Sequence, residues 1–151
     1  YSHSSIRNLY LDTPDFRLIR RSLEKPVYKE KLRLRSYGRT ERDSPVFMEL
    51  KKKYRSIVYK RRLTLPYDRA LDCLTGAVPG RRPRLAGRSA YTVDFYPDLE
   101  SRVFLAYERD SWLAPESGLR ITFDDAIRFR TEELTLELGP MGPRPAGPDQ
   151  Y

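Results

Sequence analysis

The chain has 151 residues, the size of one domain, so one hydrophobic core is expected rather than several. Hydrophobic residues make up 39% and aromatics 12%, which excludes intrinsic disorder even with 33% charged residues. With 29 Lys and Arg against 21 Asp and Glu, the formal charge is +8, and the partner to look for is an anion: phosphate, nucleic acid or an acidic lipid surface.

Residues 6 to 11, Ile-Arg-Asn-Leu-Tyr-Leu, read as a strand that runs into Asp12-Thr13-Pro14-Asp15. A capping side chain followed by Pro predicts a short helix there, through Phe16, Leu18 and Ile19. From Tyr28 to Tyr37 the residues alternate, with Leu32 and Leu34 on one face and Lys29, Lys31, Arg33 and Arg35 on the other. A polar, turn-rich stretch from Gly38 to Pro45 predicts a hairpin into a second alternating strand. That strand, Val46 to Lys53, sets Val46, Met48 and Leu50 against Phe47, Glu49, Lys51 and Lys53. A third strand over residues 57 to 65 sets Val58, Lys60, Arg62 and Thr64 against Ile57, Tyr59, Arg61, Leu63 and Leu65.

Tyr67 to Thr75 suits an amphipathic helix, with Ala70, Leu71 and Leu74 on one side and Gly76 as the stop signal. Residues 79 to 89, rich in Arg, Pro and Gly, read as a loop, and Ala90 to Leu99 fits helix and strand equally. Val103 to Trp112, Leu119 to Asp124 and Leu134 to Leu138 are predicted as three further strands, with a turn at Ser117-Gly118. Pro and Gly then dominate from Pro140 onward.

Cys73 is the only cysteine, so no intramolecular disulfide can form and a reducing compartment fits. No apolar run approaches the length of a membrane span and no signal peptide is evident, which makes a cytoplasmic location the expectation. His3 is the only histidine, which excludes a His-rich metal site. A Gly-rich phosphate loop of the Walker type is absent, so any bound phosphate must be held by side chains.

A polar face on a single strand can simply meet water. Here, however, Lys51, Lys53, Lys60, Arg62, Arg109 and Arg120 extend the cationic pattern of residues 29 to 35 over several strands. Like charges about 5 Å apart repel by roughly 3 kcal/mol at an effective dielectric near 20, so such a face calls for an anion. Arg offers phosphate a planar fork, whereas Lys offers a mobile point charge suited to a reacting phosphoryl group.

Asn-Leu-Tyr-Leu-Asp-Thr-Pro-Asp (8 to 15), Tyr-Lys-Glu-Lys-Leu-Arg-Leu-Arg-Ser-Tyr-Gly (28 to 38), Val-Phe-Met-Glu-Leu-Lys (46 to 51) and Val-Tyr-Lys-Arg-Arg (58 to 62) carry a family resemblance. With Ala-Tyr-Glu-Arg (106 to 109) and Leu-Arg-Ile-Thr-Phe-Asp (119 to 124), the chain resembles the VTC-type polyphosphate polymerase domain over about residues 1 to 138. The resemblance implies an α+β fold: a mostly antiparallel β-barrel of the triphosphate tunnel class, CYTH-like, with flanking helices. It further implies ATP and polyphosphate as partners and a divalent metal, Mn or Mg, as cofactor.

Carried over by motif, Arg33 and Arg35 are expected to hold nucleotide phosphates, and Lys51, Arg109 and Arg120 to line the same passage. Lys60 is expected beside the reacting phosphoryl group as the catalytic residue. Arg61 and Arg62 are weaker candidates. The metal ligands stay unassigned, because Glu49, Glu108, Asp124 and Glu137 each read better as surface or pairing carboxylates.

The family's opening acidic strand and its closing Glu-Ile-Lys strand have no counterpart in the chain. Residues 1 to 151 are therefore expected to form one domain truncated at both ends, its tunnel incomplete and its own activity low. The rival readings are a tunnel hydrolase that activates water, a non-catalytic polyphosphate-binding module, and a basic nucleic-acid-binding β domain. No RNA-binding motif is present, and no specific nucleic acid is expected.

Overall fold

The computed structural model describes residues 1–75 and 98–143. In chain order these form β1 (Ser2–Asp12), α1 (Arg17–Leu23), β2 (Tyr28–Tyr37), β3 (Pro45–Tyr54) and β4 (Ile57–Pro66), followed by α2 (Tyr67–Thr75), β5 (Glu100–Leu113) and β6 (Arg120–Arg130). The loop expected at 79 to 89 and the undecided residues 90 to 97 lie outside the described residues.

The six strands make one antiparallel sheet in the order β4-β3-β2-β1-β5-β6. Alternation decides its two faces. On one face, cross-strand rows such as Leu9–Leu34–Met48 and Leu11–Leu32–Leu50 form the floor of the core. Leu18 of α1, Tyr67, Ala70 and Cys73 of α2, Phe104 of β5, and Leu99 and Leu136 pack on that floor. Cys73 is thus a core residue, as its place in an apolar helix stripe suggests.

Local chemistry explains the element ends. The Asp12 carboxylate accepts the backbone N–H groups of Thr13, Leu18 and Ile19 at 2.8–3.0 Å, and the Thr13 hydroxyl accepts that of Arg17 at 2.9 Å, so α1 is anchored to the end of β1. Gly118 adopts the left-handed conformation (φ 67°) that turns β5 into β6. Arg55 and Ser56, both at positive φ (46° and 71°), form the two-residue turn between β3 and β4.

Three expectations need correction. The sheet is not closed into a barrel: β2, β3 and β4 extend from one side of β1 and β5 and β6 from the other, so β4 and β6 end as opposite edges. The predicted strand at Leu134 to Leu138 does not form. Its Leu alternation is strand-like, but its backbone bonds to side chains instead of a strand: the Thr135 carbonyl accepts from the Arg130 guanidinium, which also takes the carbonyls of Glu133, Gly139 and Met141 on either side of the stretch. Leu136 instead plugs the core, its N–H donated to the Tyr67 hydroxyl at 3.1 Å and its carbonyl accepting from Arg7 at 3.2 Å. Finally, β6 runs past Asp124 to Arg130, across a register shift opposite Ala106 and Glu108.

The Arg55-Ser56 turn holds two side chains in a conformation that glycine or asparagine adopts at lower cost. Replacing the pair with Asn-Gly is expected to stabilise the fold by about 1 kcal/mol, read as a raised midpoint in urea unfolding with an unchanged slope.

Candidate functional site

The face of the sheet opposite the core is polar across β1 to β4. Its residues meet in register: Tyr10–Arg33–Glu49–Arg62 in one row, Asn8–Arg35–Phe47–Thr64 in the next, and Lys31–Lys51–Lys60 on the other side. Between them lies a cavity of about 390 Å³ lined by Tyr10, Lys31, Arg33, Glu49, Lys51, Val58 and Lys60.

Glu49 organises this cavity. Its side chain is only 2% exposed, and both carboxylate oxygens are taken by cations. One oxygen accepts from Arg33 Nε at 2.8 Å and Nη2 at 2.7 Å. The other accepts from Arg62 Nε at 2.8 Å and Nη2 at 2.5 Å, with Lys60 Nζ at 3.3 Å. Burial alone would raise the Glu49 carboxyl, but the hydrogen bonds from Arg33 and Arg62 and the charges of Arg33 and Arg35 outweigh it and bring it from 4.5 to about 2. The cavity wall therefore carries Lys31, Arg33, Lys51 and Lys60 against a single carboxylate, an excess of positive charge that only an added anion balances.

Arg35 is nearly buried and lies outside the cavity lining, with Nε donating to Asn8 Oδ1 at 2.9 Å and Nη2 to the Tyr107 hydroxyl at 3.0 Å. The same hydroxyl accepts from Arg109 at 3.5 Å. Arg109 in turn forms a bidentate pair with Asp124 at 2.5 and 2.6 Å, which raises the guanidinium and lowers the carboxyl. Arg120 is exposed at the start of β6 and, among the described residues, donates to the Ser111 hydroxyl at 3.5 Å.

Of the six residues singled out from the sequence, Arg33, Lys51 and Lys60 thus share the cavity wall. Arg35 and Arg109 form a second group around Tyr107, and Arg120 stands apart. Tyr10 and Lys31 belong to the cavity as well. Two-residue alternation from Asn8 in β1 and from Arg33 in β2 carries the signal for both, since every second residue shares a face.

No group of three or more His, Cys, Asp and Glu among the described residues is arranged to hold a metal. Glu49 is the one carboxylate on the cavity wall, and it is saturated by Arg and Lys. His3, on β1, is placed between Asp110 at 2.7 Å and Glu108 at 3.1 Å, away from the cavity.

The depressed Glu49 carboxyl ties stability to pH. Its ionised form is favoured in the folded state, so its contribution is complete above about 4.5 and lost as the pH falls toward about 2. Urea midpoints measured between pH 6 and pH 2 are expected to fall more steeply for the wild type than for Glu49→Gln, which starts lower because the cations around it lose their counter-charge.

No curated protein sequence matches the chain at a significant level. The family model of the VTC domain matches residues 1–148, a span that contains all six strands, both helices and every residue of the basic face. By that match the chain belongs to the VTC domain family.

Proposed function

We propose that the basic cavity binds the phosphates of ATP and of polyphosphate, and that the domain serves a polyphosphate polymerase that moves the terminal phosphoryl group of ATP onto a phosphate chain. The observation that carries this reading is the convergence of Lys31, Arg33, Lys51 and Lys60 on one cavity, in a domain whose family is associated with polyphosphate polymerases. A cytoplasmic location, where ATP is plentiful, belongs to the same proposal.

In the reaction a terminal oxygen of the polyphosphate attacks the γ-phosphorus of ATP, and the bond from that phosphorus to the bridging oxygen of ADP breaks in line. No side chain needs to act as nucleophile. The protein's part is to place the two anions and to meet charge as it shifts toward ADP. Arg33, fixed on Glu49 through two nitrogens, is suited to positioning. Lys60 is half exposed and held at one contact of 3.3 Å, so its ammonium can turn from Glu49 to a phosphoryl oxygen.

Arg109 and Arg120 lie further along the same face, where an extended polyphosphate could be held. Arg109 must first exchange its Asp124 partner for phosphate. The described side chains do not by themselves fit a divalent ion, given the saturated Glu49. A divalent ion, Mn or Mg, belongs to the proposal as charge neutralisation for the bound phosphates, with no ligand assigned to it among the described side chains.

The test is to supply the full-length protein with ATP, a short polyphosphate primer and Mg or Mn, and to follow products by gel and ³¹P NMR. Growth of the polymer with ADP released in equal amount is expected. Free phosphate in place of growth would indicate a hydrolase, and binding without turnover a sensor; either result overturns the polymerase reading. Lys60→Ala is expected to lower kcat about 100-fold with ATP affinity changed only a few-fold, whereas Arg33→Ala is expected to weaken ATP binding about tenfold. An unchanged kcat in Lys60→Ala would remove its catalytic role.

A further inference from the structure

The end of the sheet where β2 begins and β3 turns into β4 presents a surface distinct from the basic cavity. Tyr28 pairs with Tyr54 and Tyr54 with Ile57 there, and the Arg55 amide donates to the Val27 carbonyl at 3.1 Å. The α1–β2 connection and the β3–β4 turn are thereby joined into one tip. Only residues 24 to 27 separate β2 from Leu23, the last residue of α1.

This tip is apolar and basic at once. Leu23 is 73% exposed, Val27 62% and Ile57 56%, so three aliphatic side chains are kept in water at one end of the sheet. Residues 21 to 29 and 53 to 58 carry five cations, Arg21, Lys25, Lys29, Lys53 and Arg55, against one carboxylate, Glu24. Lys25 and Arg55 hold the left-handed conformation (φ 51° and 46°), which Gly or Asn adopts at lower cost, so charge is placed at the tip against the local backbone preference. The two tyrosines at the tip each have a guanidinium over the ring: Arg21 at 5.8 Å from Tyr28 and Arg55 at 5.4 Å from Tyr54.

We infer that this tip docks on an anionic lipid surface, with Leu23, Val27 and Ile57 entering below the headgroups and the surrounding cations meeting the acidic headgroups themselves. Charge complementarity selects the occupant, because an acidic leaflet offers dense negative charge and hydrocarbon side by side. Polyphosphate has the charge and nothing that gains from aliphatic side chains. Single-stranded nucleic acid gains from bases stacked on aromatic faces, and at this tip Arg21 and Arg55 lie over the rings. No described helix is long and apolar enough to cross a membrane, so the contact is one of docking on the surface.

The docking does not depend on what the cavity binds. The tip row Lys29–Lys53–Val58 is nevertheless only two residues, about 7 Å, along the strands from the cavity row Lys31–Lys51–Lys60. Capture of headgroups by the cavity must therefore be told apart from docking of the tip, and the aliphatic residues make the distinction: only docking uses them.

Cosedimentation of the full-length protein with vesicles tests this. Vesicles of phosphatidylcholine with about 30 mol% phosphatidylserine are expected to bind at least about tenfold more tightly than phosphatidylcholine alone. The pair Lys25→Glu and Arg55→Glu is expected to weaken binding to the acidic vesicles by more than about tenfold, and the pair Val27→Ser and Ile57→Ser by about tenfold at unchanged charge. All four positions are exposed, and far-UV circular dichroism is expected to be unchanged. A separate Val27→Trp variant is expected to shift its emission to the blue when acidic vesicles are added. Wild-type binding in both pairs would overturn the assignment. So would loss in the charge pair with wild-type binding in the serine pair, which would mean headgroup attraction without insertion. Binding of a single-stranded oligonucleotide in place of the vesicles would give the tip to nucleic acid and overturn it as well.

Discussion

A carboxylate enclosed by cations sits at the centre of this fold. Glu49, in the middle of β3, accepts from Arg33 on β2 and from Arg62 and Lys60 on β4, and thereby ties three strands together on the face away from the core. Removing a carboxylate from water is costly, and only dense pairing offsets it. Five donor nitrogens on two oxygens supply that pairing here. They also hold Arg33 and Arg62 upright, with Arg62 lying 4.7 Å over the Phe47 ring and Arg33 5.9 Å from that of Tyr10.

The same carboxylate explains why so cationic a surface can exist without ligand. Arg33, Lys60 and Arg62 would repel one another at strand spacing, and Glu49 cancels part of that repulsion while leaving Lys31 and Lys51 beside it. A site organised in this way is preformed and still holds a net positive charge. The β5–β6 side follows a similar rule with a different outcome: Asp124 meets Arg109 one to one, so that pair is close to neutral.

The core constrains the site from behind. Leucines on the odd positions of β1 and even positions of β2 form the buried floor, so Tyr10, Arg33 and Lys31 can only point the other way. Residues 131 to 143 close part of that core without secondary structure of their own. Arg130 makes this possible, because its guanidinium lies 3.6 Å from the Phe104 ring centre and collects four carbonyls that no strand serves.

Strand alternation from Tyr28 to Pro66, the helix at Tyr67 to Thr75 and the single basic face were legible in the amino-acid sequence, because side-chain period depends on local backbone geometry alone. The family was legible as well, through ordered motifs that span several strands. What tertiary structure decided was which charges meet. Glu49 read as a surface or pairing carboxylate, and register decides for pairing by setting it between Arg33 and Arg62, 16 and 13 residues away along the chain. Arg109 matched a phosphate-binding position, and its pairing with Asp124 could not be read from the sequence because the nearness of the two depends on the β5–β6 pairing. Leu134 to Leu138 had a strand's pattern but its backbone is engaged by side chains of Arg7, Tyr67 and Arg130, and the sheet ends in the two edges β4 and β6 instead of closing into a barrel. Local sequence specifies which face a residue takes; partners across the sheet are chosen by register and packing, which involve residues distant in the chain.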